Sequence, residues 1–310
     1  MEKKNKIGAL IVSFNPNVKL LQENINGIVK QVSTVVVVDN GSNNVNDVEK
    51  LLQNYGVSLI KLEKNFGIAA ALNRGMEFFK KENFNWILTL DQDSVVPKDI
   101  IQKLTDTKEF KMKNVGLIAA DFINSAAGEI SSERSGVVGY SRRVITSGSL
   151  TNVNVWSVIG GFDEQLFIDA VDHDFNQRMI QMGYDIFQIN DVQIKHALGQ
   201  SMKSNKNILA QIIGFWGTQR SEHSATRLYY IYRNEIIFIK RYSKRKTYDY
   251  LRLISDMRRL VIASHPIKQS KAVFSGIKDG IKYSTKNDTF FKNYQEKVRR
   301  ISTKNFDEQK

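Results

Sequence analysis

The sequence predicts an α/β fold, with a mostly parallel, helix-covered central sheet followed by a basic, mainly helical C-terminal region. Three observations carry this expectation. Short β-branched or apolar runs alternate with stretches of helical periodicity from Ile7 to Leu90. Each run stops at a cluster of Asp, Asn, Ser or Gly, as strands do where a loop begins. After residue 240, Lys and Arg crowd beside apolar residues at helical spacing.

Ile7 to Phe14 reads as the first strand, with Asn15-Pro16-Asn17 as a turn and helix start. Leu20, Leu21, Ile25, Ile28, Val29 and Val32 then repeat at helical spacing. Thr34 to Val38 is a β-branched second strand ending in Asp39-Asn40-Gly41-Ser42. Val45, Val48, Leu51 and Leu52 mark a short helix, and Val57 to Leu62 a third strand. Asn65-Phe66-Gly67 opens a helix carrying Ile68, Ala71, Leu72, Gly75 and Phe79. Trp86 to Leu90 is the fourth strand. Strands joined by crossover-length helices form a parallel, Rossmann-like half whose loops share one crevice. Further on, Pro97 to Leu104 reads as helix, Val115 to Ala120 as strand and Asp121 to Tyr140 as loop or short hairpin. Asp191 to His196 reads as a last core strand, and Thr247 to Ala263 as a helix.

Composition narrows the classes. The 310 residues are 42% hydrophobic and 10% aromatic, enough for a sizeable core. The absence of cysteine excludes disulfides, thiolate metal sites and cysteine nucleophiles. The charged start Met-Glu-Lys-Lys-Asn-Lys is unlike a signal peptide, and no run approaches the roughly 20 apolar residues of a membrane helix. A cytoplasmic protein is expected. The net charge of +13 gathers in Lys240-Arg241, Lys244-Arg245-Lys246, Arg258-Arg259 and Arg299-Arg300. Such a face suits water or an anionic membrane surface. Nucleic acid is disfavoured, because no helix-turn-helix, zinc-finger or RNA-recognition signature is present.

The chemistry sits where strands end. Asp91 and Asp93, one residue apart after Leu90, offer hard oxygen ligands for Mg²⁺ or Mn²⁺ shared with a phosphate-bearing substrate. An ordinary Asp/Ser turn before Pro97 would look alike. Asp39 can accept a hydrogen bond from a pyrimidine imide or cap a helix. Gly67 at a helix start lets backbone approach an anion, and Asn73 lies further along that helix. Neither a G-x-G-x-x-G nor a Walker A sequence is present, so dinucleotide and P-loop readings fail. Asp169, Asp172 and Asp174 cluster at a helix start, where acids also serve as caps. Asp172 and Asp174 would diverge on the helix, whereas Asp169 and Asp172 would share a face. His196 after a strand suits a diphosphate oxygen, a metal or a structural role. Arg233 suits phosphate. Tyr250, Leu251, Ile254, Met257, Leu260 and Val261 form a helical stripe among arginines, fit either for a bilayer or for core packing.

The ordered segments Val-Ser-Phe-Asn-Pro, Val-Asp-Asn-Gly-Ser, Asn-Phe-Gly-Ile-Ala-Ala-Ala-Leu-Asn-Arg-Gly and Leu-Asp-Gln-Asp-Ser resemble family 2 glycosyltransferases. The resemblance implies a GT-A fold over residues 1–200, with a nucleotide-sugar half (1–94) and an acceptor half (95–200), followed by the basic region 201–310. It implies that Ser13, Asp39 and Asn40 flank base and ribose, with Asn15 also on the nucleotide-sugar side. Asn65, Gly67 and Asn73 would lie near nucleotide and donor sugar, with Asp91 and Asp93 serving ribose and metal. Thr146-Ser147-Gly148 resembles an acceptor-side segment, though these residues equally suit an ordinary tight turn, and Gly160-Gly161-Phe162-Asp163-Glu164 resembles an acceptor-side loop. Phe167-Ile168-Asp169-Ala170-Val171-Asp172 matches the Phe-Ile-Asp-x-Val-Asp of rhamnosyltransferase-like members, although the family's usual first Glu is missing. Asp172 then aligns with the catalytic base, and Asp169 is a second candidate. His196-x-Leu-Gly and Arg227-Leu-Tyr-Tyr-Ile-Tyr-Arg-Asn234 add to the likeness.

The expected activity is inverting, metal-dependent sugar transfer. L-rhamnose from dTDP-rhamnose would pass to a glycan or lipid-linked hydroxyl in cell-surface polysaccharide synthesis. The alternatives are a UDP-hexose donor, a nucleotidyltransferase and a non-catalytic nucleotide-sugar-binding protein. A processive synthase is disfavoured, because no Gln-x-x-Arg-Trp motif is present.

Overall fold

The alternating runs of the N-terminal half assemble into one sheet in the computed structural model, which describes residues 5–123, 137–139, 144–196, 223–257, 260 and 265–307. The chain divides into two compact units. The first comprises Met1–Phe167, Val171–Ala197 and Glu296–Lys310, and the second Ile168–Ala170 with Leu198–Gln295.

The first unit opens with β1 (Ile7–Ser13), α1 (Val18–Ile28), β2 (Thr34–Asp39), α2 (Val45–Gln53), β3 (Ser58–Lys61), α3 (Ile68–Lys81) and β4 (Trp86–Asp91). It continues through β5 (Ser94–Val95), α4 (Ile100–Thr105), β6 (Val115–Ile123), β7 (Val137–Gly139), β8 (Ser149–Asn152), α5 (Val153–Ile159), α6 (Val171–Gln181) and β9 (Asp185–His196). The strand order is β3-β2-β1-β4-β8-β6-β9-β5, with β7 against β9. From β3 to β9 all strands run one way except β8, which is antiparallel to both β4 and β6. The inner parallel strands β1 and β2 are apolar on both faces because helices cover both. Val35, Val36, Val37 and Val38 of β2 are all buried, as are Ala9, Leu10, Ile11 and Val12 of β1.

Local chemistry fixes the helices. Asn17 caps α1 by accepting the N–H groups of Lys19 and Leu20 at 3.0 and 3.4 Å, removing two of the orphan donors of a helix start. Leu21, Ile25 and Ile28 then bury the inner face of α1, each worth about 1.5–3 kcal/mol relative to exposure. The inner face of α3 is built from Ala69, Ala70, Ala71, Leu72, Gly75 and Met76. Gly75 lies so close to Leu10 of β1 that a Cβ there would strike the leucine side chain. Small residues thus let α3 press onto the sheet and bring its start level with the strand ends.

In the second unit, α7 (Ala225–Tyr242), α8 (Lys246–Asp256) and α9 (Pro266–Lys282) surround a core of Tyr232, Ile236, Leu253 and Val273. Gly276 and Gly280 of α9 meet α7 at Tyr229 and Ile236, where any Cβ would collide. The last helix, α10 (Thr289–Asp307), begins after Asp288. The Asp288 carboxylate accepts the Phe291 N–H at 2.9 Å and pairs with Arg241, both side chains being buried. No helix among the described residues is long and apolar enough to cross a membrane.

Three expectations change. Residues 149–152 form a strand directly after the Thr146-Ser147-Gly148 segment, where the sequence offered a tight turn or an acceptor-side segment, and 153–159 form a helix. Asp169 precedes α6 and has φ +63°, so it does not share a helical face with Asp172. The apolar stripe expected over residues 247–263 is divided: Tyr250, Met257 and Leu260 pack against the helical core, while Leu251 and Ile254 are 60% and 59% exposed. Val261 lies outside the described residues, as do 197–222 and 140–143.

Candidate active site

The loops after β1, β2 and β4 and the start of α3 carry the residues expected on the nucleotide side. Parallel pairing sets Ser13 of β1 opposite Asp39 of β2. Asp39 is 1% exposed, and its carboxylate accepts the Ser42 N–H at 2.9 Å and the Ser13 hydroxyl at 3.3 Å. Both bonds fix the plane of the carboxylate at the sheet's ligand end. Asn15 has φ +47°, donates its N–H to Ser42 Oγ at 2.8 Å and accepts the Asn43 N–H at 2.8 Å. The buried Asn40 side chain ties the next loop down. It donates to Asn65 Oδ1 at 3.0 Å and to the Gly67 carbonyl at 3.1 Å, and accepts the Phe66 N–H at 3.0 Å. Asn65 Oδ1 also accepts the Gly67 N–H at 2.9 Å. Asn40 and Asn65 are therefore loop braces by geometry.

Gly67 is required by its backbone. Its φ is +89°, and a Cβ would lie 2.5 Å from the Phe167 carbonyl oxygen. That carbonyl accepts the Ile68 N–H at 2.7 Å, so the segment before α6 caps the start of α3. Asn73, expected near the donor sugar, is buried and fully engaged by protein. It accepts from the Phe162 N–H at 2.9 Å and Trp156 Nε1 at 3.3 Å, and donates to the Phe162 carbonyl and Glu164 Oε1, each at 2.9 Å. Asn73 joins α3 to the Gly160–Glu164 loop.

The Asp-Gln-Asp loop after β4 is held at four points. The Asp91 carbonyl accepts Asn24 Nδ2 at 2.6 Å, and the Asp91 N–H donates to Ser147 Oγ at 3.0 Å. Gln92 Oε1 accepts the Phe14 N–H at 2.7 Å, and Ser94 and Ser147 share a hydroxyl contact at 2.8 Å. Asp91 and Asp93 remain half-buried at the sheet's end. β5 pairs with β9 so that Ser94 faces His196, which brings the His196 backbone beside the residue after Asp93. The description of His196 stops at its backbone. The segment expected on the acceptor side supports this loop: Ser147 is 1% exposed, the Gly148 N–H bonds the Thr89 carbonyl at 2.7 Å, and the Thr146 carbonyl accepts the Thr89 hydroxyl.

The three clustered aspartates have different surroundings. Asp174 is buried and meets Arg178 Nε at 2.7 Å, while Arg178, 0% exposed, also donates to the carbonyls of Ile159 and Gly161 at 2.9 and 2.8 Å. A charged guanidinium is tolerated there because it is paired with a carboxylate and each of its three nitrogens donates to an acceptor. Asp172 lies in the first turn of α6, half-buried, and accepts the His173 N–H at 2.9 Å. In the helical unit, Asp169 forms a forked contact with Arg227 Nε and Nη2 at 3.0–3.3 Å. Asn234 of α7, 0% exposed, donates to the Ile168 and Asp169 carbonyls at 2.8 and 3.0 Å. Arg233 donates to Asn234 Oδ1 at 3.1 Å, and its guanidinium lies 6.0 Å from the Tyr230 ring centre.

Sequence reasoning passed over Asn24, Gln92, Arg227 and Asn234 as individual residues. Asn24 was the most accessible of them, because it is a polar residue on the otherwise apolar inner face of α1.

The glycosyl transferase family 2 profile matches residues 9–175. A dTDP-rhamnosyl transferase, RfbF of Shigella flexneri, is 30% identical over 255 residues, 76% of this chain and 81% of that protein. Among solved structures, the mannosyltransferase PcManGT of Pyrobaculum calidifontis, in complex with GDP-Man and Mn²⁺, has a TM-score of 0.56 at 14% identity, covering 98% of this chain and 88% of its own. TarS 1-349 of S. aureus, in complex with UDP-GlcNAc, has a TM-score of 0.56 at 14% identity, covering 96% and 89%. Strand order, loop chemistry and these likenesses agree: the chain belongs to glycosyl transferase family 2 and is a GT-A glycosyltransferase of rhamnosyltransferase-like type.

Proposed function

We propose that this glycosyltransferase moves L-rhamnose from dTDP-rhamnose to a hydroxyl of a glycan or lipid-linked acceptor, inverting the anomeric carbon, in cell-surface polysaccharide synthesis. The donor assignment is supported by the likeness to a dTDP-rhamnosyl transferase over most of both chains. We assign the reaction to the cytoplasm, with the enzyme peripheral at the inner face of the cell membrane.

One observation carries the mechanism: Asp172 lies partly exposed in the first turn of α6, where the Phe-Ile-Asp-x-Val-Asp segment carries its last aspartate, and we assign its carboxylate as general base. The Asp174 carboxylate is buried against Arg178, and that of Asp169 contacts Arg227. Asp172 would take the acceptor proton as the hydroxyl oxygen attacks the anomeric carbon, on the face opposite the departing diphosphate. Asp39, held by Ser13 and Ser42, would accept the base imide N–H as an acceptor-only group. Arg233 would meet phosphate or remain with Tyr230.

Mg²⁺ or Mn²⁺ shared with a diphosphate takes one or two carboxylates from protein and its remaining ligands from phosphate and water. The half-buried Asp91 and Asp93, on a loop fixed by Asn24, Gln92 and Ser147, fit that demand. Asp93 would hold the cation and Asp91 the ribose or the cation, with His196 as a further ligand. When bound, the cation supplies neutralisation of charge on the leaving diphosphate.

Calorimetric titration with dTDP and UDP, with and without Mn²⁺, tests the site, and a donor-hydrolysis screen tests the sugar. dTDP should bind at least about tenfold tighter with Mn²⁺, and Asp93→Ala should remove that gain. Equal binding in chelator would refute the metal role. Preferential hydrolysis of a UDP-hexose would move the donor assignment to that sugar.

A further inference from the structure

We infer that the outer face of α9 is a docking surface for an anionic lipid bilayer. The helix buries Gln269, Val273, Gly276 and Gly280 on one side. On the other, Ile267, Phe274 and Ile281 are 75%, 60% and 61% exposed. These three are seven residues apart, a spacing that drifts only about 20° per repeat, so they form one line about 21 Å long. Lys271 and Lys278 follow Ile267 and Phe274 by one turn on the same side, and Lys268 and Lys282 flank the ends. All four lysines are exposed and form no ion pair among the described residues. Asp279, the helix's sole acid, accepts the Tyr229 hydroxyl of α7 at 2.9 Å and so turns from this face.

A row of large apolar side chains edged by ammonium groups matches an anionic interface, with the apolar groups reaching acyl chains and the lysines reaching headgroup phosphates. It matches a protein partner poorly, because protein interface cores are depleted in Lys. The exposed row on α8, Tyr248, Leu251 and Ile254, is shorter, and the adjacent Arg252 is neutralised by Glu235 at 2.8 Å. The α9 surface therefore takes over the lipid contact that the sequence offered, as an alternative to core packing, for the stripe of residues 247–263. The inference extends the reading of a lipid-linked acceptor. Its test needs neither donor nor acceptor, so either can fail while the other stands.

Flotation of the full-length protein with vesicles of phosphatidylcholine, with or without about 30% phosphatidylglycerol, measures docking at about 50 and about 500 mM salt. Binding should require the anionic lipid and fall at least about tenfold at the higher salt. Phe274→Ser/Ile281→Ser should lose at least about tenfold in partitioning, with its melting temperature and donor hydrolysis unchanged. Replacing Lys268, Lys271, Lys278 and Lys282 by Gln should abolish the salt dependence. Wild-type binding by the double-Ser variant, or equal binding to neutral vesicles, would overturn the inference. So would a dimer, seen by sedimentation velocity, that the double-Ser variant dissociates without changing flotation, because the face would then join two copies of the chain.

Discussion

Asn73 separates a brace from a ligand group, and its replacement by alanine gives the two roles opposite signatures. The side chain is 7% exposed and serves four partners: the Phe162 N–H, the Phe162 carbonyl, Trp156 Nε1 and Glu164 Oε1. Asn73→Ala leaves the first three inside protein without their acceptor or donor. A buried polar group deprived of its partner costs about 1–3 kcal/mol. Because the three share one loop and relax together, the sum should be about 3–6 kcal/mol. At about 2–4 °C per kcal/mol for a domain of this size, the melting temperature should fall by about 6–24 °C. Asn73→Asp keeps the acceptor but faces Glu164 Oε1 with a second carboxylate, so it should be destabilised as well. Urea unfolding measures the loss, and titration with dTDP and Mn²⁺ measures donor-site affinity in the folded fraction. The brace predicts a large stability loss with nucleotide affinity within about threefold of wild type. A variant with unchanged midpoint and at least about tenfold weaker nucleotide binding would refute it.

Three further outcomes follow from buried groups. Arg178→Met strands the Asp174 carboxylate and two carbonyls, and should cost about 3–5 kcal/mol in urea unfolding, while Asp174→Leu with Arg178→Met recovers part of the loss. Burial pushes the Asp288 carboxyl up, but the Phe291 N–H, the Tyr283 hydroxyl and Arg241 outweigh it and hold the group below its ordinary value. Its folded value lies below the unfolded one, so its stabilisation is present above the ordinary carboxylate range and is lost as pH falls through the folded value. Thermal melts across the acid range should show a limb that Asp288→Asn flattens. Gly67→Ala must place a methyl against the Phe167 carbonyl at φ +89°, which should cost about 1–3 kcal/mol in strain and weaken dTDP binding in the same titration.

The parallel half of the sheet was legible because each strand is a compact apolar run and each crossover helix repeats its own period. The positions of Asp39, Asp91 and Asp93 at strand ends followed directly. What stayed hidden depends on contacts distant in sequence. Ser147 supports Asp91 across 56 residues, and Asn73 reaches Phe162 across 89, so neither role shows in local pattern. β8 is four residues long and was masked by the turn chemistry of Thr146-Ser147-Gly148. The left-handed backbone at Phe167, Asp169 and Ala170 could not be foreseen, because none of these residue types favours positive φ as glycine does. Burial likewise decided which residues of the stripe over 247–263 face inward, a choice periodicity leaves open.

The most direct test of the central claim is steady-state transfer from dTDP-rhamnose by Asp172→Asn beside Asp169→Asn, with Mn²⁺ and a saturating hydroxyl acceptor. Asparagine keeps the size of Asp172 and still accepts the His173 N–H, but it cannot take up a proton. Turnover of Asp172→Asn should fall at least about a hundredfold, with dTDP affinity and melting temperature unchanged. Asp169→Asn should retain more turnover, because its carboxylate serves Arg227. Full activity in Asp172→Asn with loss in Asp169→Asn would contradict the assignment and give the base role to Asp169, and full activity in both would remove general-base catalysis by either.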